Sequence, residues 1–261
     1  MKSQTEKVAI FRALHERDRA FIIPNPWDIG TTKMLEALGF EALATTSAGF
    51  AQSIGKADGT VDRDTMLAHA AQLAAATDLP VSADLENGYA DDPGGVAETV
   101  RLAAAAGLAG CSIEDLPAGR AAGPYELAFA AERIAAAAKA ARALPFPFML
   151  TARAENYIAG RPDLADTIAR LQAYEAAGAD VLYAPGLRTA ADIAAAVQAL
   201  DHPINVLMGL PGVTLTLAEL SALGVRRVSI GSALSRLAYT TAERAAKAMR
   251  DRGDFTGLTR E

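Results

Sequence analysis

Apolar residues recur along this chain in two alternating registers, and the alternation predicts the fold. Short β-branched or apolar runs bounded by Pro or Gly read as strands at 20–24, 42–46, 81–84, 110–114, 148–153, 181–184, 204–208 and 227–231. Between them lie Ala-rich stretches of helical period at 29–38, 63–76, 94–106, 130–143, 164–177, 189–200 and 217–223. Several of these end in a glycine suited to the left-handed residue after a helix: Gly39, Gly107, Gly178 and Gly224. Strands alternating with helices imply parallel βα units. Eight such units in 261 residues predict an α/β fold, a (β/α)8 TIM-type barrel, as a single domain over 1–261. The competing architecture, a doubly wound open sheet, carries a Gly-rich phosphate turn after its first strand. Here that place reads Pro24-Asn25-Pro26-Trp27-Asp28.

Composition narrows the class. Half of the residues are apolar, no Pro/Ser linker or low-complexity tail interrupts the pattern, and the net charge of −6 argues against a general nucleic-acid binder. No apolar run is long enough to span a bilayer, and the opening Met1-Lys2-Ser3-Gln4-Thr5-Glu6 lacks a signal-peptide core, so a cytoplasmic setting is expected. The lone Cys111 lies inside the fourth strand and reads as a small core residue without a disulfide partner.

Barrel chemistry sits at the C-terminal ends of the strands. The third strand runs into Asp84-Leu85-Glu86-Asn87-Gly88, and positions i and i+2 of a strand share a face. Asp84 and Glu86 therefore make a seat for hydrated Mg²⁺ or Mn²⁺. Of Glu114 and Asp115, adjacent at the end of the fourth strand, only one can face the mouth. The fifth strand ends in Arg153-Ala154-Glu155, and Arg153 suits bidentate binding of a carboxylate or phosphonate. After the second strand come Thr46, Ser47 and Ala48, whose backbone N–H groups can hold an oxyanion, and then Asp58 in a glycine-flanked loop. Tyr183, Arg188, Asn205 and Met208, with Arg120 in the fourth-strand loop, are candidates for substrate selection. No histidine falls at a strand's C-terminal end, which argues against histidine catalysis, and no strand ends in the Lys of a Schiff-base aldolase.

Taken together, Pro24–Asp28, Thr45–Gly49, Asp58, Ala83–Tyr89, Ser112–Asp115, Thr151–Arg153 and Val228–Gly231 resemble the isocitrate lyase/phosphoenolpyruvate mutase superfamily over nearly the whole chain. The resemblance implies a barrel whose last helix is swapped between subunits, here 232–252, and a homo-oligomer, dimer or tetramer. It implies Mg²⁺ and a small 2-oxo or α-hydroxy carboxylate substrate, with no nucleic-acid or membrane partner. On this pattern Asp84 is the principal metal ligand, with Glu86 and Glu114 on the metal's waters. Arg153 binds the substrate carboxylate, the amides near Ser47 and Ala48 cradle an enolate oxygen, and Asp58 is a catalytic or gating carboxylate.

Two departures shape the expectation. The lyase loop after the fourth strand, with its acid–base Cys, is replaced by Asp115-Leu116-Pro117-Ala118-Gly119-Arg120-Ala121-Ala122-Gly123-Pro124, which argues against isocitrate or methylisocitrate cleavage. The longer polar lid of the phosphonate branch is also missing. Glu86 stands where many members have Asp and carries its carboxylate about 1.5 Å further. The expected function is an Mg²⁺-dependent carbon–carbon lyase or oxaloacetate-type decarboxylase working through a stabilised enolate. The alternatives are a P–C mutase or hydrolase of the phosphonopyruvate type, and a non-catalytic binding protein on the same fold.

Overall fold

A computed structural model describes residues 2–118 and 123–258. Eight parallel strands, β1 (Phe21–Ile23), β2 (Leu43–Ala44), β3 (Val81–Asp84), β4 (Gly110–Glu114), β5 (Met149–Arg153), β6 (Val181–Tyr183), β7 (Ile204–Leu207) and β8 (Arg227–Ser229), pair in the order β1-β8-β7-β6-β5-β4-β3-β2. The Ala44 N–H donates to the Pro24 carbonyl at 3.1 Å, which joins the two ends into a nearly closed barrel. The fold is the (β/α)8 barrel that the patterning predicts.

Period-two alternation divides the strands cleanly. Ala83, Cys111, Ile113, Leu150, Ala152, Leu182, Val206 and Val228 pack outward in the main core against the helices. The interleaved set, Ser82, Asp84, Ser112, Thr151, Arg153, Asn205, Arg227 and Ser229, is strongly polar. A barrel interior is ordinarily filled by bulky branched side chains; here the upper interior is hydrophilic, and a cavity remains. The base is apolar: helix α1 (Gln4–His15) lays Val8, Phe11 and Leu14 against Phe21, Met149 and Val181.

The outer helices start where short polar side chains cap them. Asp28 caps α2 (Ile29–Ala37), Asp62 caps α4 (Arg63–Ala75), Asp92 caps α5 (Pro93–Ala105) and Asp163 caps α7 (Leu164–Ala176), each accepting a first-turn N–H. Glu126 does the same for α6 (Leu127–Arg142), and Thr189 and Thr216 serve α8 (Ala190–Gln198) and α9 (Leu217–Ala222). The patterning missed one helix. Thr46 caps α3 (Ser47–Ser53), so β2 stops two residues short of the expected end and the following small residues coil instead of extending. The last helix, α10 (Ala233–Arg252), buries only Ser235 and leaves Leu237 and Tyr239 exposed. Among the described residues no helix is long and apolar enough to cross a membrane.

Candidate active site

At the C-terminal mouth, β3, β4 and β5 bring their last residues together. Glu114 and Arg153 are register partners, so their side chains leave adjacent strands on one face. The Arg153 guanidinium meets Asp84 Oδ1 at 2.7 Å through Nη1, Glu114 Oε2 at 3.1 Å through Nη2 and Glu155 Oε1 at 2.8 Å through Nε. Burial works against the charge on Arg153, but Glu155, Glu114 and Asp84 together outweigh it and raise its pKa well above the ordinary value. Glu155 is nearly inaccessible, and desolvation raises its pKa despite the neighbouring guanidinium.

Asp115 turns the other way, as strand alternation requires. It accepts the Glu155 N–H at 2.8 Å, Arg170 Nη1 at 3.1 Å and the Tyr174 hydroxyl at 2.5 Å. It thereby anchors the segment that carries Arg153 and Glu155. The first turn of α3 closes the other side. Ser47 donates its backbone N–H to Asp84 Oδ2 at 3.3 Å, and its hydroxyl lies 3.0 Å from that oxygen and 3.1 Å from Asp58 Oδ1. Ser47 thus links the two aspartates, and its amide is engaged by Asp84. Thr46 spends its hydroxyl on the helix cap, and Ala48 lines the cavity.

That cavity, about 220 Å³, runs from the mouth into the polar interior and is bounded by Asp58, Asp84, Arg153, Tyr183, Asn205 and Met208 among others. Asn205 is buried, donating to Ser229 Oγ and accepting from Arg227 Nε, both at 2.9 Å. Arg188 is exposed and off the wall, and Arg120 lies outside the described residues. Glu86 follows Asp84 with a left-handed φ of 48° and borders a neighbouring depression with Asp62, Asn87, Tyr89 and Asp91.

Tyr89, to which the sequence assigns no role, has a left-handed φ of 56°. Its hydroxyl oxygen is buried without a hydrogen-bond partner. Desolvation raises its pKa, and the charges of Glu86, Asp84, Glu114 and Asp58 raise it further. Two strained non-glycine residues within four positions mark this loop as held in place by its surroundings. Arg133, fully buried on α6, does the holding: it donates to the carbonyls of Asn87, Ala90 and Asp91 on the loop and to that of Glu114 on β4.

Among the described residues no three His, Cys, Asp or Glu side chains stand as a ready metal cage, and Arg153 lies between the carboxylates instead. The donor chemistry nevertheless fits a hard divalent cation. The groups are all oxygens, three carboxylates meet one guanidinium, and the Tyr89 hydroxyl, on the loop that carries Glu86, is buried without a partner.

A parallel barrel whose mouth gathers carboxylates around one guanidinium, over a small polar cavity, is built to grip a small anion at the end where barrel enzymes work. The chain belongs to the phosphoenolpyruvate phosphomutase family, whose pattern matches residues 11–250. It is 60% identical to a Burkholderia cenocepacia protein provisionally described as a lyase/mutase, with a TM-score of 0.95 over 98% of this chain and 91% of that one. It is 33% identical over 191 residues to an oxaloacetate decarboxylase of Bradyrhizobium diazoefficiens, covering 71% of this chain and 65% of the relative. Oxaloacetate acetylhydrolase, solved with its product oxalate, superposes with a TM-score of 0.87 at 28% identity over 98% of this chain and 91% of that one.

Proposed function

We propose that this protein is a lyase that cleaves the bond beyond C3 of a small 2-oxo acid, oxaloacetate being the first candidate, through an enolate. The observation that carries this reading is Arg153, a guanidinium cradled by Asp84, Glu114 and Glu155 on the wall of a cavity of about 220 Å³. The similarity to oxaloacetate decarboxylase and to oxaloacetate acetylhydrolase supports the same substrate class.

A divalent ion held by Asp84, with Glu86 and Glu114 on its waters, would supply positive charge to the enolate oxygen as the adjacent bond breaks. The chain's own residues do the rest. Movement of Asp84 toward such an ion leaves the Arg153 Nη1 donor, now spent on Asp84, for the substrate carboxylate. Glu114 and Glu155 keep the guanidinium plane fixed meanwhile. Cleavage leaves the electron pair on C3, delocalised into the enolate, and a proton must then reach C3. The Ser47 hydroxyl, hydrogen-bonded between Asp58 and Asp84, is the group placed to hold that proton, with Asp58 as its acid–base partner. The Thr46–Ala48 turn and Asn205 bound the space beside it and limit what the substrate carries beyond C3.

The test is a proton and phosphorus NMR time course with Mg²⁺ and oxaloacetate, 2-methylisocitrate, phosphoenolpyruvate or phosphonopyruvate. Pyruvate forms from oxaloacetate, and formation stops with EDTA; oxalate with acetate would instead report hydrolysis of the C2–C3 bond and overturn the proposed cleavage beyond C3. Turnover of the phosphorus compounds alone would replace this reading with P–C chemistry.

A further inference from the structure

Below the mouth, the barrel carries a second positive charge that the mouth chemistry does not use. Arg227 opens β8, is 5% exposed, and sends its guanidinium across the barrel. Nη2 donates to Thr151 Oγ1 on β5 at 3.0 Å, Nε donates to Asn205 Oδ1 at 2.9 Å, and Nη1 lies 3.4 Å from His15 Nε2 on α1. His15 Nδ1 lies 2.8 Å from the Phe11 carbonyl and so carries the ring proton, which leaves Nε2 as an acceptor. Burial, with Arg227 beside it, lowers the His15 pKa to about 3, so this ring is neutral.

All three partners are uncharged, and among the described residues no carboxylate pairs with Arg227. Burial lowers its pKa only to about 10, so the guanidinium stays charged at neutral pH. A buried charge is ordinarily paired, because leaving water without a counter-ion is costly. Here the counter-charge has room to come from outside: Arg227 forms part of the wall of the same cavity, beside Ser82, Ser112 and Ser229. Three of its five N–H groups are engaged, and two remain to donate. Thr151 lies two residues before Arg153 on β5, about 6.6 Å along the strand, so this layer sits below the mouth.

We propose that Arg227 is the floor of an anion subsite inside the barrel, taking one monoanion of carboxylate or halide size through the cavity. Hydroxyls of the flanking serines complete the donor set. The subsite does not depend on the lyase reading. Its occupant is either a free inorganic anion or the second carboxylate of a substrate whose first carboxylate meets Arg153.

The test is thermal unfolding of the full chain at constant ionic strength in chloride, nitrate or acetate, with isethionate as the bulky reference, for wild type, Arg227→Met and Arg227→Lys. The small anions raise the wild-type midpoint by about 2–4 °C over isethionate, and Arg227→Met loses that increment. Arg227→Lys keeps part of it, and stabilisation by oxalate at the mouth survives in both variants. Equal anion responses in wild type and Arg227→Met overturn the proposal. Should Arg227→Met fail to fold, a bromide-soaked wild-type crystal decides: anomalous density against the guanidinium supports the subsite, and density elsewhere or nowhere refutes it. Chloride that weakens succinate binding but not oxalate binding identifies the occupant as a substrate carboxylate. Chloride that leaves succinate unaffected identifies a free anion.

Discussion

Arg133→Met is the sharpest probe of how the acidic loop is held. The side chain is fully buried on α6 and donates to four backbone carbonyls, three on the loop at 87–91 and one at Glu114, while lying 4.2 Å from the centre of the Tyr125 ring. Methionine roughly keeps the volume of the stem but removes every donor. Each hydrogen bond from a charged donor contributes about 1.5–3 kcal/mol, and each buried carbonyl left unpaired costs about 1–3 kcal/mol. Carbonyls at the loop edge regain water and Met retains the packing, so the net loss is about 3–5 kcal/mol. For a chain of this size that lowers the melting temperature by roughly 8–15 °C, within what a stability of about 5–15 kcal/mol tolerates at room temperature. The loop also holds Glu86 and Tyr89 in left-handed backbone, so its release lets both relax and separates Glu86 from Glu114. Circular dichroism melting and Mg²⁺ titration of turnover read the two effects. Arg133→Lys, with fewer donors but the charge kept, falls between. A melting temperature within about 2 °C of wild type for Arg133→Met would refute the reasoning.

Arg153→Lys keeps a charge but loses the planar fork that meets three carboxylates, and kcat/KM on the 2-oxo acid found active falls by about 100-fold, measured by steady-state kinetics. His69→Phe preserves the stack on Phe50, whose ring centre is 3.7 Å away, and removes a buried Nε2 that has no partner. Burial lowers the His69 pKa from 6.5 to about 4, so the unfolded chain binds a proton that the folded one refuses as pH falls through that window. The wild type therefore loses about 2 kcal/mol of stability between about pH 8 and pH 5 at this residue, and urea unfolding at both values shows the variant spared that loss. Gly88→Ala places a side chain at φ +81°, 3.1 Å from Val96, and lowers stability by about 1–3 kcal/mol in the same assay.

The strands were legible because each is a short run whose two faces differ in chemistry. Val81–Asp84 and Gly110–Glu114 begin and end where the patterning places them, since a Pro or Gly and a carboxylate bound each run. The same period predicts that one of Glu114 and Asp115 faces in; Glu114 does, and Asp115 turns out to Arg170 and Tyr174. Helix α3 was illegible: seven residues of Ser, Ala, Gly, Phe and Gln show no helical period, and the capping hydroxyl of Thr46 reads equally as strand. Arg227 was hidden differently. It follows Arg226 at a strand start, and nothing local tells which of two adjacent arginines enters the barrel; the register against Phe21 and Asn205 decides it. Ser47 links Asp58, 11 residues on, to Asp84, 37 residues on, contacts that spacing along one chain does not reveal.

The central claim is that the mouth carboxylates and Arg153 form one site for a metal and a small 2-oxo acid. Oxalate, which has the shape and charge of a pyruvate enolate, tests it without turnover. The measurement is calorimetric titration of oxalate into wild type and Asp84→Ala, each with and without Mg²⁺, with folding of the variant checked by circular dichroism. The account predicts tight binding only in the wild type with Mg²⁺, and loss of the Mg²⁺ effect in Asp84→Ala. Oxalate binding that ignores Mg²⁺, or that persists unchanged without Asp84, would contradict it.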